Sequence, residues 1–130
     1  MKLTPNFDLK EFACKDGTPV PEKYMDNVIL LAKQLQVIRD AIGKPIKINS
    51  AYRTPTYNKS VGGASKSQHL TASASDLTVS GLRPTELKEV IEGLIAQGKI
   101  LQGGVGLYNT FVHYDIYFDG KNVRRWDLRK

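Results

Sequence analysis

The segment from Pro21 to Gly43, PEKYMDNVILLAKQLQVIRDAIG, constrains the fold most, because Val28, Leu31, Leu35, Ile38 and Ile42 recur at alternating spacings of three and four. That period predicts one amphipathic helix whose apolar stripe has to be buried against the rest of the chain. Pro21 suits the first turn, and Gly43 followed by Lys44-Pro45 stops the helix. Apolar and polar residues then alternate through Ile46-Lys47-Ile48-Asn49-Ser50, which predicts a strand. Residues 52 to 68, YRTPTYNKSVGGASKSQ, carry no sustained period and predict a long ordered loop with a short helix near Asn58. Ordered loops of that length in a compact domain are usually functional.

A strand is expected from Ala74 to Val79, and a second helix opens at Arg83-Pro84-Thr85-Glu86 with Leu87, Val90, Ile91, Leu94 and Ile95 on its apolar face and Gly98 as its stop. The remainder reads as strands over Ile100 to Leu107, Phe111 to Phe118 and Val123 to Leu128. Turns are expected at Asn109 and at the hairpin-type dipeptide Asp119-Gly120. Helices early and antiparallel strands late predict an α+β fold. With 130 residues and no repeat, linker or low-complexity segment, one domain over 1–130 is expected.

Composition excludes several classes. No apolar run approaches the roughly 18 to 20 residues that a membrane span needs. The start, Met1-Lys2-Leu3-Thr4-Pro5-Asn6-Phe7, has no apolar stretch after its lysine, so no secretory signal is expected. The lone Cys14 has no disulfide partner and is expected to pack rather than react. A formal charge of +6 suggests an anionic partner or a solvated basic surface. The basic residues are dispersed apart from Arg124-Arg125 near Lys121, Arg129 and Lys130, and no nucleic-acid-binding motif is present, so nucleic acid is not expected.

The chain has two histidines, His69 and His113. His69 follows the polar loop, and Asp76 arrives seven residues later at the start of a predicted strand, close enough to share one metal ion. In Phe111-Val112-His113-Tyr114-Asp115, alternation puts Phe111, His113 and Asp115 on one face and Val112 and Tyr114 on the other. Two imidazoles and one carboxylate leave the fourth position of a tetrahedral zinc open, as in catalytic sites. The spacing alone also fits a core histidine hydrogen-bonded to a neighbour.

The stretches SAYRTPTYNKSVGGASKSQHLTASASDLTV and GGVGLYNTFVHYDIYF resemble the M15 family of zinc D-Ala-D-Ala carboxypeptidases and murein endopeptidases. The opening NFDLKEFACKDGTPVPEKYMDN is similar to the start of short bacterial and phage members, and NVRRWDL to the Val-Arg-x-Trp close of related murein endopeptidases. The resemblance implies a DD-peptidase/hedgehog-like fold, a small antiparallel sheet with helices packed on one side. It further implies that His69, Asp76 and His113 bind Zn2+, and that Arg53 holds a substrate carboxylate or the polarised carbonyl. Asp115 would activate the zinc-bound water or orient a ligand histidine. Ser67, Gln68 and Asn58 would be polar wall residues contacting substrate.

Some positions depart from the family pattern. Ala72 replaces the usual Gly, which would strain the loop between the ligands, and Thr71 and Ser75 replace more usual neighbours. Tyr117 stands where an arginine often follows, and Thr110 where some members carry an acidic general base. The expected activity is zinc-dependent hydrolysis of peptidoglycan peptide bonds by a monomer. The expected localisation is cytoplasmic until release, in the manner of a phage lysin, or export by another route. The alternative is a non-catalytic cell-wall-binding or phage structural module that keeps the fold.

Overall fold

The computed structural model describes residues 1–130. A short hairpin of β1 (Lys2–Thr4) and β2 (Phe7–Asp8) leads into α1 (Met25–Ile42). A 3-10 turn over Glu22–Tyr24 precedes α1, so the regular helix starts four residues after Pro21. Gly43, at φ 73°, ends it by donating its N–H to the Arg39 carbonyl. Val28, Leu31, Leu35 and Ile38 are fully buried, as their spacing requires, while Ile42 is half-buried at the frayed end.

The main sheet comprises β3 (Lys47–Ser50), β4 (Ala74–Thr78), β5 (Val105–Leu107), β6 (Val112–Asp115) and β7 (Arg125–Asp127), in the order β3-β4-β6-β5-β7. Between β3 and β4 lies α2 (Pro55–Ser60), capped by the Thr54 hydroxyl on the Tyr57 N–H, where a short helix near Asn58 was expected. α3 (Pro84–Ala96) follows β4 and buries Leu87, Ile91 and Leu94. These residues, the α1 stripe and Leu77, Val112 and Tyr114 of the sheet form one core. Cys14 is buried in it as a packing residue. No helix is long and apolar enough to cross a membrane.

The α+β expectation holds, with refinements. β5 and β6 form the hairpin predicted around Asn109. Asp119 does make a turn, accepting from the Lys121 and Asn122 N–H groups, but it does not close a β6/β7 hairpin. β7 instead passes to the far side of β5 and pairs with it in parallel, Gly106 opposite Trp126. The three late strands are also shorter than their alternating segments.

Candidate metal centre

Sheet register builds the site. Asp76 lies opposite His113 across β4 and β6, so both side chains emerge on the sheet face away from the α1 and α3 core. A register irregularity between Ile48 and Ser50 sets Ser50 opposite Asp76 on the other side. His69 arrives from a 3-10 turn, Gln68–Thr71, whose N-cap is the Ser67 hydroxyl accepting from the His69 N–H. The turn ends at Ala72, the one non-glycine residue with positive φ (59°, ψ 30°), which bends the chain back into β4. The strain expected from alanine in place of glycine is therefore present in the backbone.

All three side chains are buried, and one donor atom from each lies within 4.8 Å of the others. Asp76 Oδ1 is 3.3 Å from His69 Nε2 and 3.3 Å from His113 Nδ1. The far nitrogens reveal the tautomers. His69 Nδ1 is 2.7 Å from the Ala51 carbonyl and His113 Nε2 is 2.7 Å from Asp115 Oδ2, so each of these nitrogens donates a proton. The lone pairs of His69 Nε2 and His113 Nδ1 then face each other and the Asp76 oxygen. With both imidazoles neutral, three inward-facing electron pairs repel, and a cation, whether a proton or a metal ion, relieves that repulsion. The donor set, two imidazoles and one carboxylate, suits zinc with a position left open.

Electrostatics agree with convergence of negative and polar groups on one point. Burial alone would raise the Asp76 carboxyl, but hydrogen bonding and charge from His113 and His69 hold it well below the usual carboxylate range. Burial likewise opposes protonation of His113, and the Asp115 and Asp76 carboxylates outweigh it, so its imidazole is raised. Asp115, fully buried, is pushed up by burial yet brought down to about 2 by His113, the Gly104 N–H and Arg124. It also accepts from the Tyr117 N–H.

A cleft of about 640 Å³ opens over these residues. Arg53, Ser67 and Gln68 stand on its wall, as the sequence suggested. Arg53 is already engaged: Nε on Ser50 Oγ, one terminal nitrogen on Asn58 Oδ1 and the other on Asp76 Oδ2. Asn58 is not brought to the wall. It is buried behind Arg53, and its amide also donates to the Ala64 carbonyl. Thr110 is exposed in the β5/β6 turn.

Sequence reasoning missed the opposite wall. Arg124, Trp126 and Leu128 line the cleft with Tyr108 and Phe111. The signal was present as strand alternation in Arg124-Arg125-Trp126-Asp127-Leu128, whose even positions share a face. Trp126 lies against His113, ring centres 4.9 Å apart, and donates to the Tyr108 hydroxyl. Its indole occupies the space over Gly106, where a Cβ would come within 2.2 Å of Nε1. A Cβ on Gly104 would likewise meet Asp115 Oδ2 at 2.5 Å and Arg124 at 2.7 Å, so glycine is needed for that pair to form. Arg124 bonds Asp115 and the Tyr117 carbonyl, and thus brings a guanidinium beside Tyr117, the position where the family pattern has an arginine.

The family profile described as peptidase M15 matches residues 5–115. The chain belongs to the peptidase M15 family. A zinc D-Ala-D-Ala carboxypeptidase of Streptomyces albus G is 44% identical over 52 residues, which make up 39% of this chain and 20% of that relative's length. The M15 match ends at Asp115, so β7 with Arg124 and Trp126 lies beyond it.

Proposed function

We propose that this chain is a zinc-dependent peptidase that hydrolyses peptide bonds of bacterial peptidoglycan, stem peptide or cross-link, with His69, Asp76 and His113 as the zinc ligands. The convergence of three lone-pair donors beneath a cleft carries the reading. The name of the Streptomyces relative, a zinc D-Ala-D-Ala carboxypeptidase, supports both metal and substrate class. When bound in such a site, zinc supplies a water of lowered pKa and polarises the carbonyl to be attacked.

The chain's own residues prepare that chemistry. The Ala51 carbonyl and Asp115 retain the protons on His69 Nδ1 and His113 Nε2, which keeps the opposite nitrogens free as donors. Arg53 bonds Asp76 Oδ2 and leaves Oδ1 to the ligand set. Of the two roles open to Asp115, its position behind the imidazole favours orienting His113 over taking a proton from water. Ser67 shapes the His69 turn, while Gln68 offers its side chain to the cleft.

One observation favours a second reading, a non-catalytic wall-binding module. The carboxylates on the cleft wall are those of Asp76 and Asp115, and both have protein partners, while position 110 is an exposed threonine. Elemental analysis of the chain purified without added zinc, followed by digestion of purified murein with mass analysis of the fragments, separates the readings. Stoichiometric zinc with newly cut peptides is the expected result. Zinc and murein binding without cleavage would establish the module, and absence of metal would remove the ligand assignment.

A further inference from the structure

We infer that Arg124 is the residue that receives a substrate carboxylate in this cleft; the inference rests on the peptidase reading and names the feature by which that site selects its substrate. Two arginines line the cleft, and they differ in what they have left to give. Each of the three side-chain nitrogens of Arg53 has a protein acceptor, and its side chain is 14% exposed. Arg124 is 33% exposed and uses a single nitrogen, Nη2, on Asp115 and the Tyr117 carbonyl. Its Nε and Nη1 have no protein acceptor.

A guanidinium keeps its charge and all its N–H donors at any working pH, so these unused donors are permanent. Arg124 is also held in place before any ligand arrives. Asp115 anchors one end, the Tyr117 ring lies 5.3 Å away and the Trp126 ring 5.8 Å away. Ordering cost is therefore small, which favours binding by preorganisation.

The charge on the wall points the same way. Its cationic side chains are Arg53, Arg124 and Lys66, against the carboxylates of Asp76 and Asp115. Each carboxylate is paired with an arginine, and Lys66 makes no ion pair. The wall is thus net positive without counting a metal, and a charge-assisted bond to an entering carboxylate is the contact it lacks. Trp126 on β7 and Leu128 just beyond it continue along the cleft wall, so the chain next to that carboxylate meets an apolar surface.

A carboxylate can come from a peptide C-terminus or from an acidic side chain, and paired ligands distinguish them. The terminal pair is N-acetyl-D-alanine and its amide. The side-chain pair is the α-amides of N-acetyl-D-glutamate and N-acetyl-D-glutamine. Calorimetric titration into zinc-loaded wild type, Arg124→Gln and Arg124→Lys gives acid-to-neutral affinity ratios, alongside zinc affinity and hydrolysis of N-acetyl-D-Ala-D-Ala. In wild type at least one acid is expected to bind more tightly than its neutral partner. Arg124→Gln lowers that ratio by roughly 10- to 100-fold, the factor a hydrogen bond to a charged group supplies, and Arg124→Lys recovers part of it. The pair that responds identifies the source. Equal weakening of acid and neutral ligands together with weaker zinc binding would make Arg124 a support for Asp115 alone and overturn the inference, as would a wild type that distinguishes neither pair. Acid selectivity without hydrolysis would sink the peptidase reading and leave Arg124 standing, whereas hydrolysis without acid selectivity would do the reverse.

Discussion

Asp115 spends its carboxylate on His113, the Gly104 and Tyr117 N–H groups and Arg124, with none of its surface exposed. A carboxylate so placed would act on a metal held by His113 through the imidazole. Asp115→Asn is therefore expected to weaken zinc binding by about 10- to 100-fold, the usual effect of losing such a partner, and excess zinc should restore most of the activity. Competition against a chromophoric chelator measures the first and a zinc titration of rate the second. A rate loss that zinc does not rescue would make Asp115 the general base. Ala72 offers a separate test. Its left-handed backbone costs an alanine about 1–2 kcal/mol relative to glycine. Against that, its methyl is buried in the core, worth about 0.8 kcal/mol. Glycine also loses about 0.5–1 kcal/mol more in backbone entropy. Ala72→Gly should thus change stability by less than about 1 kcal/mol on these terms. Ala72→Val, β-branched at positive φ and in a filled core, should lose roughly 1–3 kcal/mol or more. Denaturant midpoints of both variants check this pair, and a tolerated valine would contradict the left-handed geometry.

At the scale of elements, β7 is the piece on which the missed half of the cleft depends. It is three residues long and holds through its pairing with β5, through Arg125 on Glu92 and the Gly103 carbonyl, and through Trp126 laid over Gly106. Gly106→Ala places a methyl inside the indole's volume. The expected result is displacement of Trp126, a red shift of the emission of this sole tryptophan and a loss of about 1–3 kcal/mol, as for other overpacked sites. Unchanged emission would show that the ring accommodates the methyl in place. The same strand marks where sequence reading ran out. α1 and α3 were legible because a helix buries a stripe at its own period, and that period is written locally. The cluster of His69, Asp76 and His113 was legible because polar residues interrupt apolar strands and because its motifs resemble a known family. Strand alternation shows which face a residue takes but not which strand lies beside it, so Asp119-Gly120 suggested a hairpin where the chain crosses to a parallel partner. Arg53 was legible as a cleft residue, yet its engagement by Ser50, Asn58 and Asp76 depends on contacts between distant segments. Arg124 read as surface charge and as part of the closing NVRRWDL motif, with no place in the cleft, for the same reason.

Across the whole molecule the site is a junction. The apolar face of the sheet is sealed by α1 and α3, while the other face receives the segment carrying α2 and the His69 turn. His69 belongs to that segment, and Asp76 and His113 belong to the sheet, so one ion held by all three would tie the segment to the sheet. Anything that binds the folded chain alone adds stability by mass action, about 4 kcal/mol at a thousand times the dissociation constant. For a domain of this size that corresponds to a rise in Tm of roughly 10–20 °C. Such a rise is expected on adding zinc to chelator-treated protein, and His69→Ala should abolish it while folding to the metal-free baseline. The increment should also depend on pH with a definite sign. Zinc held there would take the unprotonated forms of both imidazoles and of Asp76, so protons would compete with it and the increment should shrink as the medium is made acidic. Thermal denaturation with and without zinc, repeated between mildly acidic and mildly alkaline buffer, reads the increment directly. A zinc effect that is independent of pH, or that survives in His69→Ala, would place the ion somewhere other than between these three side chains.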